Sequence, residues 1–255
     1  MEILKLCDVT VKFGGLTAVD SLNIHLNKNE IIGLIGPNGA GKTTVFNMIT
    51  GVYTPTSGNI YFGGSNKSII NKKPSAIASL GVARTFQNIR LFKELSVIDN
   101  VFIGSHLNIK SNIISSVFRT KKYKKEEKKF YDKSVKLLEE VGLKDLMYEK
   151  ASSLSYGNQR RLESARALNT NPEILLLDEP AAGMNPKESL ELMEFIRSIR
   201  DKFGITILMI EHHMQVVMGV CERIYVLDYG QKIAQGIPSE IQNNEKVIEA
   251  YLGVG

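Results

Sequence analysis

The chain opens with apolar residues at every second position and later changes to short, uninterrupted apolar runs. The alternating positions include Leu4, Leu6, Leu22, Ile24 and Leu26. A period of two predicts half-buried antiparallel strands. The continuous runs are 31–35, 174–177 and 205–210. Such runs are typical of central parallel strands, because helices cover both faces of a parallel sheet. The chain is therefore predicted to combine an antiparallel sheet with a mostly parallel one.

Helical spacing lies between the continuous runs, as the crossovers of parallel strands require. Apolar residues from Leu192 to Phe203 recur at helical intervals, and Gly204 follows them as a predicted C-cap. Near the C-terminus, 223–228 and 231–235 predict a hairpin across a Tyr-Gly turn, with a short helix after it. Together these patterns predict an α/β fold that contains both antiparallel strands and a parallel sheet.

The segment 96–154 differs from its surroundings because no strand-like run interrupts its helical pattern. We expect it to form a helical subdomain inserted into the α/β core. Within it, 121–129 is rich in lysine. Such a run usually forms the solvated start of a helix, and contact with anionic lipid or nucleic acid is the alternative interpretation.

Composition excludes several classes of protein. The 255 residues are 43% hydrophobic, enough for a globular core, and the net charge of +5 is too mild to demand an anionic partner. Cys7 and Cys221 are the only cysteines, so we expect no disulfide framework and a reducing cytosol. The N-terminus shows no signal-peptide pattern. Every aliphatic run is far shorter than the ~18 residues that suggest a membrane span.

A phosphate-binding motif follows the run 31–35. Its residues are Gly36, Pro37, Asn38, Gly39, Ala40, Gly41, Lys42 and Thr43, with Thr44 next in the predicted helix. This is the pattern G-x-x-x-x-G-K-S/T between a strand and a helix, as the motif requires. Its glycines let backbone N–H groups turn toward phosphate oxygens, and the helix adds its positive N-terminal end. Lys42 is expected to reach the β- and γ-phosphates, and the Thr43 hydroxyl to ligate Mg²⁺.

A pair of acids ends the apolar run 174–177. Ligands bind at the carboxyl ends of strands in open α/β sheets, so both side chains are candidates for a site. Asp178 suits Mg²⁺ binding, directly or through water. Glu179 suits the orientation and deprotonation of an attacking water.

The segment 154–162 resembles the signature of ABC ATPases, whose commonest form is Leu-Ser-Gly-Gly-Gln and which reads Leu-Ser-Tyr-Gly-Asn here. Further elements of that family stand in the family's order along the chain. They are Phe13 at the A-loop, Gln87 at the Q-loop, Ser155 and Gly157 in the signature, 181–186 at the D-loop and His212 at the switch. The resemblance covers essentially the whole chain. It implies an α/β fold of the P-loop NTPase, ABC ATPase type, whose core has a mixed central sheet, with an antiparallel β subdomain and an inserted α-helical subdomain.

The resemblance also implies an organisation and a set of roles. A single domain, 1–255, would contain the β subdomain and phosphate-loop core (1–95), the helical subdomain (96–154), the core with the signature helix, the Walker B acids and the switch histidine (155–222), and the C-terminal hairpin and helix (223–255). Phe13 would stack on adenine, and Ser155 and Gly157 would complete the ATP site of a partner subunit. The catalytic residues would be Glu179, His212, Gln87 and Lys42. The Mg²⁺ ligands would be Thr43, Gln87 and Asp178.

Several segments narrow the resemblance to the ATPases of branched-chain amino-acid importers. These segments are the signature variant with the Gln-Arg-Arg-Leu-Glu that follows it, 180–186, 84–88, 118–120, 223–226, 236–238 and 250–253. The chain also departs from common ABC sequences. Asn158 replaces the signature glutamine, Asn185 the D-loop aspartate, and His213 the aspartate that often follows the switch histidine.

The resemblance implies ATP and Mg²⁺ as cofactors and a location at the cytoplasmic face of the cell membrane, as a peripheral protein. Its implied partners are two permease subunits, a second ABC ATPase (self or paralogue) in a head-to-tail dimer and, indirectly, an extracytoplasmic binding protein. Urea import and lipid or lipopolysaccharide export are alternatives on the same fold. A nucleic-acid ABC ATPase is disfavoured, because the chain lacks zinc cysteines, sustained heptads and a second cassette. A small kinase is disfavoured by the signature segment.

Overall fold

The computed structural model describes residues 1–64, 67–108 and 120–252 of the chain. Its strands are β1 (Glu2–Phe13), β2 (Leu16–Asn27), β3 (Ile31–Ile35), β4 (Ser57–Phe62), β5 (Val82–Arg84), β6 (Ile174–Asp178), β7 (Thr206–Ile210), β8 (Arg223–Asp228) and β9 (Gln231–Gly236). Its α-helices are α1 (Lys42–Ile49), α2 (Pro74–Leu80), α3 (Val97–Gly104), α4 (Lys121–Glu140), α5 (Tyr156–Leu168), α6 (Pro186–Phe203), α7 (Met214–Val220), α8 (Pro238–Gln242) and α9 (Glu245–Leu252). Phe118, Arg119 and Gly253, which carry part of the resemblance, lie outside the described residues.

The strands form two sheets, as the two hydrophobic patterns predict. A three-stranded antiparallel sheet has the order β2-β1-β4, and a six-stranded sheet has the order β5-β6-β7-β3-β8-β9. The larger sheet is parallel except at its edge, where β8 and β9 form the predicted antiparallel hairpin. The predicted fold class, a mixed α/β core with an antiparallel β subdomain, is confirmed.

The continuous apolar runs become the centre of the larger sheet. All residues of β3, β6 and β7 are buried, because these strands have neighbours on both sides and both faces are covered. One face packs into a core shared with β1, β2 and α1, and the other face contacts α7 beside Gly33. Burial of both faces explains why these runs show no alternation, unlike β1 and β2.

The chain separates into two compact units. The first contains Met1–Gln87 and Glu173–Gly255, and it holds both sheets. The second contains Asn88–Pro172 and is helical. It extends beyond the predicted subdomain 96–154 and takes in α5, because α3 packs against both α4 and α5. Within the described residues, none of the helices combines the length and the apolar character that a membrane crossing requires.

Candidate functional site

The candidate site forms in the first unit, at one edge of the larger sheet. β5, β6, β7 and β3 are parallel neighbours, so their carboxyl ends meet at that edge. The segments after these strands supply Gln87, Asp178, Glu179, His212 and the phosphate loop 36–43. The fold therefore brings together five groups of residues that the sequence analysis selected separately.

The phosphate loop needs glycine where it passes close to its neighbours. Gly36 has φ +148°, and a Cβ there would lie 2.0 Å from the Leu227 carbonyl oxygen. Gly41 has φ +98°, and a Cβ there would lie 2.6 Å from the Ala18 carbonyl oxygen. A side chain at either position would clash with backbone, so these two glycines are required by close approach as well as by conformation.

Lys42 is buried at the start of α1, with 6% of its surface exposed. Its ammonium group donates hydrogen bonds to the carbonyl oxygens of Gly36 at 2.7 Å and Pro37 at 2.8 Å. Burial lowers the pKa of Lys42, and the negative charge of Glu179 opposes this shift. The loop therefore holds a cation at its centre, near Glu179, where a phosphate would bind.

Glu179 connects the candidate catalytic side chains. Its carboxylate accepts a hydrogen bond of 2.7 Å from Gln87 Nε2 and lies 3.2 Å from His212 Nε2. Its backbone has φ +49°, a left-handed conformation unusual for glutamate, and its N–H donates to the Ile210 carbonyl oxygen at 2.9 Å. The segments after β5 and β7 thus hold the side chain of Glu179, which itself follows β6.

Asp178 has a partner that the sequence analysis missed. Arg84 Nη2 lies 2.6 Å from Asp178 Oδ2, and each side chain is only 9% exposed. Arg84 also donates to Asn47 Oδ1 at 2.7 Å, and its guanidinium lies over the ring of Phe46. Arg84 therefore ties Asp178 to α1, the helix that follows the phosphate loop. The only sequence signal was its place in the segment 84–88.

Glu211 is a second residue that the sequence analysis passed over. Its carboxylate is 1% exposed and accepts hydrogen bonds from the backbone N–H groups of Ala181, His212 and His213 at 2.6, 2.7 and 3.0 Å. His213 Nδ1 lies 3.2 Å from the same carboxylate. Glu211 therefore joins the start of the segment 181–186 to the backbone of the predicted switch histidine.

The predicted signature residues lie in the second unit, at the start of α5. Ser155 is the N-cap, and its exposed hydroxyl accepts a hydrogen bond from the Asn158 N–H at 3.4 Å. Gly157 has open space where a side chain would be. Gln159 Nε2 donates to the Leu154 carbonyl oxygen at 2.9 Å, inside its own segment. The helix start therefore presents a hydroxyl and a glycine at the surface of the unit.

The remaining predicted residues are Phe13, Thr43 and Thr44. Phe13 ends β1 with 45% of its surface exposed, and its ring meets that of Tyr53 edge to face at 5.1 Å. Thr43 is exposed, and Thr44 is partly buried in α1. An exposed aromatic ring can stack on a base, and an exposed hydroxyl can ligate a cation.

Fold and site together define a P-loop nucleotide hydrolase. The family model described as "ABC transporter" matches residues 19–182, and the model described as "Branched-chain amino acid ATP-binding cassette transporter" matches residues 231–255. The chain belongs to the ABC transporter ATPase family. It is a transporter subunit that binds and hydrolyses ATP.

Relatives resemble the chain over nearly its full length. LivG of Escherichia coli, named a high-affinity branched-chain amino acid transport ATP-binding protein, is 46% identical, and the match covers 98% of each chain. BraF of Pseudomonas aeruginosa, described in the same words, is 43% identical with the same coverage. Among solved structures, an ATP-binding cassette of an ABC transporter in its ADP conformation superimposes with a TM-score of 0.86 at 36% identity, covering 99% of both chains. A nucleotide-free ATP-binding cassette gives 0.84 at 38% identity, covering 98% of this chain and 99% of the other.

Proposed function

We propose that the chain hydrolyses ATP to power the import of branched-chain amino acids. LivG and BraF, which carry that transport in their names, match it from end to end. The segment 231–255 matches the C-terminal model described for the same transporters. No residue of the site would touch the amino acid, so the substrate assignment rests on these relatives and the enzymatic assignment rests on the geometry.

The observation that carries the mechanism is the placement of Glu179 between Gln87 and His212. Water attacks the γ-phosphate only when it is oriented and has an acceptor for its proton. Glu179 is the proposed base. Gln87 and His212 would position its carboxylate and sense the γ-phosphate. Lys42 would leave its loop carbonyls and bind the β- and γ-phosphates.

The predicted magnesium ligands fit that ion. Mg²⁺ prefers oxygen donors, and it is usually bound by one or two carboxylates together with substrate phosphates. Thr43, Gln87 and Asp178 offer a hydroxyl, an amide and a carboxylate oxygen at the edge of the sheet described above. Within the described residues, no group of three His, Cys, Asp or Glu side chains could hold a metal without the nucleotide. The ion would neutralise charge on the β- and γ-phosphates.

The proposed assembly contains two such ATPase subunits, head to tail, on two permease subunits at the cytoplasmic face of the membrane. Ser155 and Gly157 of one subunit would complete the ATP site of the other, since the start of α5 presents them at the surface. The positive end of α5 suits a phosphate. An extracytoplasmic binding protein would deliver the substrate, and no nucleic acid takes part.

The test uses the membrane complex purified from its own cells and reconstituted into vesicles. ATP hydrolysis should rise when the binding protein is loaded with leucine, isoleucine or valine, and urea should have no effect. If urea or lipid alone stimulated ATP hydrolysis, that compound would be the transported substrate in place of branched-chain amino acids. Lys42→Ala should abolish hydrolysis in every condition, because it removes the buried cation of the phosphate loop; parental hydrolysis in this variant would refute the site itself.

A further inference from the structure

The C-terminal helix reaches the phosphate loop through a hydrogen bond. The Gly36 N–H donates to the Tyr251 hydroxyl at 2.9 Å, across 215 positions of sequence. Tyr251 lies in the last turn of α9. The match to the general ABC transporter model ends at residue 182, so this contact comes from the separate C-terminal segment 231–255.

Gly36 needs such a partner because of where the chain turns. The last paired residue of β3 is Ile35, opposite Val226 of β8. Gly36 is buried and leaves the strand with φ +148°. A buried backbone N–H without a partner is costly, and the Tyr251 hydroxyl supplies the acceptor at this point.

The same glycine also binds the central cation of the loop. The Gly36 carbonyl oxygen accepts a hydrogen bond from Lys42 Nζ at 2.7 Å, while its N–H donates to Tyr251. A second contact holds the middle of the loop, because the Gly230 N–H in the β8–β9 turn donates to the Ala40 carbonyl oxygen at 3.1 Å. The C-terminal helix and the β8–β9 turn therefore both hold the phosphate loop.

α9 packs against its neighbours in the first unit through a buried side chain. Val247 is 5% exposed, and the helix contacts β9 and α8. The helix borders an open cleft whose other wall includes Asn38 and Gly39 of the phosphate loop. Burial raises the pKa of the Tyr251 hydroxyl, and the Gly36 N–H partly offsets the rise, so the hydroxyl stays protonated at neutral pH.

We propose that Tyr251 is a positioning residue for ATP binding: α9 braces the first turn of the phosphate loop through the Tyr251–Gly36 hydrogen bond. This inference rests on the proposed role of the loop in binding phosphate. Tyr251 touches no nucleotide in this scheme. It keeps Gly36, and with it the first turn of the phosphate loop, in the arrangement that receives the phosphates, so less conformational entropy is lost on binding.

The test replaces Tyr251 by Phe, which keeps the ring and removes only the hydroxyl. Calorimetric titration of the purified chain with Mg-ADP should show binding about three- to tenfold weaker, the range expected for one neutral hydrogen bond. In the reconstituted complex the KM for ATP should rise by a similar factor, while kcat at saturating ATP stays near the parental value. Tyr229→Phe is the matched control, because Tyr229 borders the same cleft and is 89% exposed.

Three results separate the possible failures. Parental affinity for Mg-ADP in Tyr251→Phe would overturn the inference. A fall in both kcat and thermal stability, with KM unchanged, would also overturn the inference. Tyr251 would then be a merely structural residue. Parental affinity in Lys42→Ala, measured beside them, would instead refute the phosphate-loop assignment on which the inference rests.

Discussion

Glu179 is held in a backbone conformation that few glutamates adopt. A left-handed residue other than glycine costs of order 1–3 kcal/mol, and such residues cluster at active sites because the surrounding structure over-determines them. Here the Ile210 carbonyl oxygen holds the backbone, and Gln87 and His212 hold the carboxylate. These contacts hold the side chain at the edge of the sheet where the phosphate loop lies.

Glu179→Gln should therefore separate binding from hydrolysis. The amide is nearly isosteric but cannot accept a proton, and a general base contributes about 10²–10⁴ in rate. We expect normal affinity for Mg-ATP and turnover lowered by that factor, measured in the reconstituted complex. Glu2→Gln, an exposed change in β1, should leave both unchanged. Parental turnover in Glu179→Gln would leave another group to activate the water.

Glu211 should prove important to stability as well as to activity. Its buried carboxylate accepts three backbone N–H groups, and an amide at this position would turn a donor toward some of them. Leaving a buried donor unsatisfied costs about 1–3 kcal/mol. Glu211→Gln should lower the free energy of unfolding by that amount in denaturant titrations and reduce kcat, since His212 loses its support. A variant with parental stability would show that the hydrogen bonds of Glu211 do not stabilise the fold.

At the scale of elements, α6 shows how one departure from the family pattern is accommodated. Asn185 caps the helix: its side chain accepts from the Glu188 N–H at 3.0 Å, and the Glu188 carboxylate accepts from the Asn185 N–H at 2.9 Å. Gly204 ends the helix with φ +59°, as the sequence predicted. Aspartate caps a helix about as well as asparagine, which explains why either residue serves at this position.

The cap gives a direct test at this scale. Asn185→Ala should lower the free energy of unfolding by about 0.5–2 kcal/mol, while Asn185→Asp should remain near the parental value. Both are measured by denaturant titration of the isolated chain. Equal destabilisation by Asp and Ala would show that position 185 contributes something other than the cap.

At the scale of the whole molecule, the candidate residues fall into two compact units. The first unit holds the phosphate loop, Glu179 and His212, and the second holds Ser155 and Gly157. In the proposed head-to-tail dimer, the second group serves the nucleotide of the other subunit. Monomer binding and dimer formation then depend on different residues.

Ser155→Arg tests this division. The isolated chain should bind Mg-ATP with nearly parental affinity, because Ser155 lies outside its own phosphate loop. Dimerisation with ATP and hydrolysis by the complex should be lost, since the larger side chain blocks the composite site. Calorimetry and size-exclusion chromatography measure the two effects, with the cognate paralogue added if the chain does not self-associate. An equal loss of monomer binding would refute the head-to-tail arrangement.

Local pattern was enough to predict the two sheets, the C-terminal hairpin, the end of α6 and the phosphate loop with its strand and helix. These features depend on residues close together in the chain, where periodicity reports burial and where glycine reports turns. The extent of the helical unit was harder to predict from the sequence, because it follows from the packing of α3 on α5 rather than from any boundary in composition.

Contacts between distant residues were decided by the tertiary structure alone. Arg84 meets Asp178 across 94 positions, Ala181 meets Glu211 across 30, and Gly36 meets Tyr251 across 215. Arg84, Glu211 and Tyr251 do not stand out in their own segments, because an arginine, a glutamate or a tyrosine has many ordinary uses. They acquire a role only when the parallel sheet brings its strand ends to one edge and the C-terminal helix packs beside them. The motifs therefore predicted the candidate catalytic and binding residues, and the fold supplied the residues that hold those side chains and the loop in place.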